Sequence, residues 1–165
     1  MTGVQTCALP ISRPDVVVVP IGGGGLIAGM GTVLKRAGIR VVGAQVAGVD
    51  AFRRALRAAE EPTAPVAATQ ATLADGLRVA APGRLTLRIA STFLDDIIVV
   101  TEDEVAAAVA ALARDDRVVA EGAGAVAVAA LSLVRGDRRV AIVSGGNIDA
   151  GVLARVIRRF DTNPE

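Results

Sequence analysis

Histidine is absent from the 165 residues, which excludes a Ser-His-Asp triad, a Cys-His pair and an imidazole-bound zinc site within this chain. Most hydrolase chemistries fall with it. Cysteine occurs once, as Cys7, so no internal disulfide can form. With no leader of the charged, apolar and small-residue plan, a reducing, cytoplasmic setting is expected. Lysine also occurs once, as Lys35, while arginine supplies the remaining positive side chains. The balance of 18 basic against 17 acidic residues gives a formal net charge of +1, leaving no field of one sign to hold nucleic acid or an anionic membrane. The longest apolar stretches, such as Val16 to Ile21 and Ile97 to Val100, fall far short of the roughly 20 residues that cross a bilayer. Neither nucleic acid nor membrane is expected as a partner.

What is present suits one globular domain, since 52% of the residues are hydrophobic, enough to build a core in a chain of this length. Residues 1–12 match neither the Ala/Val/Arg/Gly texture that follows nor any helix or strand period. They are expected to be a terminal artefact or a poorly ordered terminus without function. From Arg13 the punctuation becomes regular. Asp15 to Ile21 is nearly pure β-branched, the mark of a strand buried on both faces of a parallel sheet. Leu26 to Ala37 reads as a helix closed by Gly38 in a left-handed cap. Arg40 to Val46 is a strand, Ala51 to Glu60 a helix, and Glu61 to Pro82 a long irregular loop of the kind that carries function. Leu85 to Leu94 is read as a helix and Asp96 to Thr101 as a strand. Glu102 to Ala113 follows as a helix, with Thr101 and Glu104 in capping-box spacing. Ala123 to Val134 is a small-residue helix, Arg139 to Val143 a buried strand and Ala150 to Arg159 a last helix. Such alternation implies an α/β sandwich with an essentially parallel sheet and right-handed crossovers.

In such sheets function collects at the carboxyl ends of strands, here the loops after Ile21 and Val143. Both are rich in glycine. In the first, Gly22, Gly23, Gly24 and Gly25 lead straight into a helix, so that backbone N–H groups can converge where the helix N-terminus adds partial positive charge. That pattern predicts a phosphate cradle rather than a merely tight turn, which one or two glycines would satisfy. A nucleotide P-loop would need Lys-Ser/Thr after its glycines, whereas Leu26 and Ile27 follow. The dinucleotide fingerprint fails too, because Gln45 stands near the end of the next strand where an acid is required. A free-standing phosphomonoester fits better, and pyridoxal 5'-phosphate is a common one in α/β enzymes.

Five segments then occur in one order: Pro20 to Leu26; Leu73-Ala74-Asp75-Gly76; Val99 to Glu104; Ala120-Glu121-Gly122-Ala123-Gly124-Ala125; and Ser144-Gly145-Gly146-Asn147-Ile148-Asp149. Together they resemble the threonine dehydratase and serine racemase branch of the pyridoxal-phosphate enzymes, from about Arg13 to Arg159. The Glu121-Gly122 run looks more like bacterial threonine dehydratases than serine racemases. The resemblance implies the parallel-sheet, three-layer sandwich of the tryptophan-synthase-beta-like (fold type II) enzymes, incomplete here, with residues 13–165 as the C-terminal part of the catalytic domain. It implies that Gly22 to Gly25 and Leu26 hold the cofactor phosphate and that Gly76 packs near the ring. It further places Glu121 beside the ring, unless that acid only caps its helix, and Ser144 opposite the pyridine nitrogen. Asn147 and Asp149 are expected to brace their turn.

The implied reaction is β-elimination from threonine, and more slowly serine, giving a 2-oxo acid and ammonia, in a protein that is a homo-oligomer at full length. The cofactor-bearing lysine of the family sits in a Ser-Phe-Lys-Arg-Gly-Ala type motif that has no counterpart here. Lys35 lies nearly three turns into the helix on an expected solvated face, so no catalytic residue is assigned. Gln45 replaces the acid that helps bind a cation in eukaryotic racemases, and no metal is expected. Two further readings stay open: a phosphate-holding module without chemistry, and another β-elimination or β-replacement enzyme such as a serine racemase or cysteine synthase relative.

Overall fold

The computed structural model describes residues 13–58 and 71–161; residues 1–12, the last two of the expected helix Ala51 to Glu60, the first ten of the expected loop Glu61 to Pro82 and residues 162–165 lie outside them. Among the described residues four strands carry the fold: β1 (Val16–Pro20), β2 (Arg40–Val46), β3 (Asp96–Val100) and β4 (Arg139–Ala141). They form one sheet in the order β3-β2-β1-β4, every pair parallel. The described α-helices that flank it are α1 (Gly25–Arg36), α2 (Ala51–Ala58), α3 (Arg84–Ala90), α4 (Glu102–Arg114), α5 (Gly122–Ala129) and α6 (Ala150–Arg159).

Alternation along β1 sorts the core into two faces. Val17 and Val19, with Ile21, point toward Ile27 of α1, Phe52 of α2 and Ala90 of α3. Val16 and Val18 point the other way, toward Val105 of α4 and Ala123, Val126 and Ala127 of α5. Because both faces of β1 are covered, its run of valines has no polar alternation. The small residues of α5 let that helix lie close on the sheet, and α6 packs outside it through Leu153 and Val156 against α4 and α5. The arrangement is a three-layer sandwich, with helices α1, α2 and α3 on one side and α4, α5 and α6 on the other.

Local signals account for several boundaries. Gly38 adopts φ 67° after α1, the left-handed conformation that glycine takes without a Cβ penalty. Thr101 and Glu104 form the reciprocal capping box at the start of α4. Three expectations change. The expected helix Leu85 to Leu94 ends at Ala90, because the hydroxyls of Ser91 and Thr92 bond back to the carbonyls of Arg88 and Ile89, the local competition that ends helices at such residues. Phe93 then turns inward against α1, where Gly31 leaves room for its ring. The small-residue helix tightens after Ala129 into a 3-10 turn, Ala130–Leu133. The expected buried strand Arg139 to Val143 is only three residues long and stands at the sheet edge, with Val140 and Val143 each 38% exposed. Among the described residues only β1 pairs with it, and its β-branched composition alone does not tell an edge strand from a central one.

Candidate functional site

The carboxyl ends of β1 and β4, adjacent and parallel, deliver the two glycine-rich loops to the same end of the sheet. The first loop is anchored residue by residue. Ile21 extends the ladder by donating its N–H to Ala44 at 2.9 Å, and its carbonyl accepts from Gln45 Nε2 at 3.0 Å. Gln45 is fully buried near the end of β2, and its Oε1 takes the N–H of Arg53 in the first turn of α2 at 2.8 Å. The Gly23 carbonyl accepts from Thr86 Oγ1 at 2.6 Å and from Gly83 N–H at 3.2 Å. Gly24, at φ 90°, is the residue before α1, and its carbonyl takes the N–H of Ala28 at 3.0 Å.

The four glycines are not equivalent. A Cβ on Gly24 would strike the Phe52 ring and lie 2.9 Å from Thr86 Oγ1, in a left-handed backbone besides. On Gly22 it would lie 3.3 Å from the Leu77 Cα and 3.4 Å from the Gly76 carbonyl. Packing and backbone together demand glycine at Gly24, and at Gly22 the fit is tight. On Gly23 or Gly25 a Cβ would meet nothing within 4 Å, and neither has a positive φ. There is no steric demand for glycine at either position among the described residues. Among the described residues, no acceptor takes the N–H of Gly22, Gly23 or Gly24. The result is an open-sided turn of free amide donors at a helix N-terminus, with room beside it, which suits a phosphate group.

Two further segments close around α5. Leu73 to Gly76 is held by Glu102, whose Oε2 accepts the Leu73 N–H at 3.0 Å, and by Thr72, whose Oγ1 accepts that of Ala74 at 3.0 Å. It runs into the 3-10 turn Asp75–Leu77. Gly122 lies so close to the Leu73 carbonyl that a methyl there would overlap it, and Gly124 stands in the same relation to Gly145. A Cβ on Gly76 would come 3.1 Å from the Ala123 methyl. The Glu121 N–H donates to the Gly145 carbonyl at 3.1 Å. The glycine loop thus abuts Gly76, Gly76 abuts α5, and α5 abuts the Ser144 turn, forming one continuous rim.

Along that rim Gly25, Leu26, Gly76 and Ser144 are exposed and Glu121 is half-buried. Glu121 occupies the N-cap position of α5 but its side chain makes no capping bond; it lies against Gly145 instead. Asp149 caps α6, accepting the Val152 N–H at 3.0 Å, so it does brace the turn. Lys35 is remote. Ten residues beyond Gly25, it lies about 15 Å along α1 at the helical rise, paired with Asp95 at 2.7 Å. Burial alone would raise the Asp95 pKa, but hydrogen bonds from Lys35 and the Val41 N–H, with the charges of Lys35 and Arg40, bring it below the ordinary aspartate value.

The roles of Gln45 and Thr86 were not visible in the sequence as parts of the loop. The one signal for Gln45 was a lone amide among the small apolar residues of a strand that must be buried. Among the described residues no group of three or more His, Cys, Asp or Glu side chains could hold a metal, and no helix is long and apolar enough to cross a membrane.

Known proteins with this arrangement are found by sequence and by structure alike. Residues 1–146 match the family of pyridoxal-phosphate dependent enzymes. The catabolic L-threonine dehydratase TdcB of Escherichia coli is 41% identical over 150 residues, covering 86% of this chain and 45% of that protein. An L-threonine ammonia-lyase of Thermotoga maritima is 39% identical over 150 residues, covering 88% and 37%. Among solved structures, maize serine racemase superposes with a TM-score of 0.77 at 31% identity, over 91% of this chain and 48% of that one. Threonine deaminase isoform 2 of Solanum lycopersicum gives 0.79 at 27% identity, over 92% and 46%. The chain therefore spans less than half the length of each of these relatives. With the glycine loop, the α5 rim and the parallel sheet all in place, it belongs to the pyridoxal-phosphate dependent enzyme family.

Proposed function

We propose that this chain is the C-terminal, phosphate-holding part of the catalytic domain of a threonine dehydratase, a lyase that converts L-threonine, and L-serine more slowly, to a 2-oxo acid and ammonia. The observation that carries the reading is the pair Gly23 and Gly25, glycines that none of the described residues requires and that leave open space beside free amides. A cradle that a Cβ would fill fits the phosphate of pyridoxal 5'-phosphate.

When bound, that cofactor supplies an electron sink for the charge left as the substrate loses its α-proton. The chain's own residues do the rest that can be assigned. The amides of Gly22 to Gly25 and Leu26 hold the phosphate. Ser144 offers the pyridine nitrogen a neutral hydroxyl rather than a carboxylate, which leaves the ring less electron-withdrawing and favours elimination of water over slower carbanion chemistry. Gly76 lets the ring approach the backbone, and Glu121 lines its side. Lys35 takes no part, since its ammonium is engaged with Asp95 at the far end of α1. The lysine that bears the cofactor comes from sequence outside this chain, so the 165 residues alone bind but do not turn over. The whole protein is a homo-oligomer of the cytoplasm.

The test is a titration of the purified chain with pyridoxal phosphate, with inorganic phosphate as competitor. Saturable binding displaced by phosphate and unchanged in Lys35→Ala is the expected result. Binding abolished by Lys35→Ala, or insensitive to phosphate, would sink the assignment. The position of Lys35 equally favours a second reading, a phosphate-holding module without chemistry. Mixing the chain with a lysine-bearing N-terminal portion of a relative separates the two: threonine-dependent release of 2-oxo acid supports the enzyme.

A further inference from the structure

A phosphate cup made of backbone amides has no side chains to aim; its donors point wherever the peptide planes are held. In a trans peptide the carbonyl of one residue and the N–H of the next lie in one plane and point in opposite directions. Fixing a carbonyl against the protein therefore turns the following N–H outward. Three planes of this loop are fixed in that way. Gln45 holds the Ile21 carbonyl and so sets the Gly22 N–H; Ala28 holds the Gly24 carbonyl and sets the Gly25 N–H. Of the two planes between them, Gly23 to Gly24 depends on the start of α3, through Thr86 Oγ1 at 2.6 Å and the longer contact of Gly83 N–H, at the N-cap, at 3.2 Å.

We infer that Thr86 is a positioning residue for the phosphate cup, orienting the Gly24 amide by holding the Gly23 carbonyl; this rests on the phosphate reading above. The hydroxyl has a second acceptor within reach, the Gly83 carbonyl at 2.9 Å. That oxygen already receives the Leu87 N–H at 2.9 Å as part of the α3 turn, whereas Gly23 is the shorter contact. A hydroxyl has a single proton to donate, and the Gly23 carbonyl is where it serves. Glycine makes the clamp necessary. Between two glycines, with no Cβ at either end, the peptide plane is free to rotate through conformations closed to other residues. Thr86 Oγ1 also stands 2.9 Å from where a Gly24 Cβ would be, so the clamp and the left-handed turn occupy the same spot.

The experiment compares Thr86→Val, which keeps the shape and removes the donor, with Thr86→Ser, which keeps the donor. Inorganic phosphate is titrated into the full chain while the glycine amide resonances are followed by NMR. The wild-type chain is expected to bind with a downfield shift of the Gly24 amide. Thr86→Val should bind about tenfold more weakly, as loss of one hydrogen bond implies, with the Gly24 shift reduced and the unfolding midpoint within a few degrees of wild type. Thr86→Ser should restore both affinity and shift. Wild-type-like phosphate affinity in Thr86→Val, or a Thr86→Ser variant as weak as Thr86→Val, overturns the positioning role while leaving the cup intact. Absence of phosphate binding in the wild-type chain overturns the cup itself.

Discussion

Replacing Gly25 by alanine should make the protein more stable and a poorer binder at once. Gly25 is the first residue of α1, without a positive φ and with nothing within 4 Å of the point where an added methyl would stand. A glycine-to-alanine change in such a conformation stabilises by about 0.4–1 kcal/mol, chiefly by restricting the unfolded chain. In a domain of this size that raises the unfolding midpoint by roughly 1–4 °C. If the open space beside the loop is where a phosphate sits, the same methyl intrudes on it. Overpacking of that kind costs about 1–3 kcal/mol, roughly a five- to 150-fold loss of affinity. Gly29, four residues further along α1, is exposed and equally unobstructed. Gly29→Ala is therefore the matched control: the same gain in stability with no change in binding. Calorimetric unfolding and phosphate titration of both variants give the answer. Equal phosphate affinities in Gly25→Ala and Gly29→Ala would refute the argument that the unneeded glycines mark a ligand.

Gly24→Ala should behave in the opposite way, losing about 2–5 kcal/mol from left-handed strain and overlap with Phe52, read as a lower unfolding midpoint. Gln45→Leu leaves the Ile21 carbonyl buried without its partner and the Arg53 N–H half-buried without its own, and should destabilise by about 1–3 kcal/mol, chiefly from the Ile21 carbonyl, measured by denaturant unfolding. For Asp95 the folded pKa is lowered, so its contribution to stability is present above the unfolded value and disappears as pH falls through the folded one. The difference in unfolding midpoint between wild type and Asp95→Asn should shrink on acidification below about pH 4; a difference that persists at lower pH would contradict the ion-pair account.

Local chemistry explains which parts of this architecture could be read in advance. Strand β1 is legible because burial on both faces leaves a β-branched run, β2 because it is a short apolar stretch between Gly38 and α2, and α4 because Thr101 and Glu104 meet within one turn. Gly38 announces the end of α1 for the same local reason. What failed depends on distant partners. Whether Val140 and Val143 are covered is decided by what lies beyond β4, and the fate of Phe93 by a glycine on another helix. In the loop, four identical letters conceal two jobs: Gly24 and, less tightly, Gly22 yield to neighbours, while Gly23 and Gly25 yield to none of the described residues. Thr86 and Gln45 could not be connected to that loop from spacing, since they reach it from 63 and 24 residues away.

The pairing of β1 with β4 joins the beginning of the described chain to its end, and Asp15 takes the N–H groups of Asp137 and Arg138 across 122 and 123 residues. Such closure is among the slowest contacts for a chain to find. The two loops that β1 and β4 carry become neighbours only once it is made, so a ligand that bridges them recognises the finished fold and no earlier one. Its binding would then act as a latch on folding itself, drawing the chain toward the native state by about 2.7 kcal/mol at a hundred times its dissociation constant.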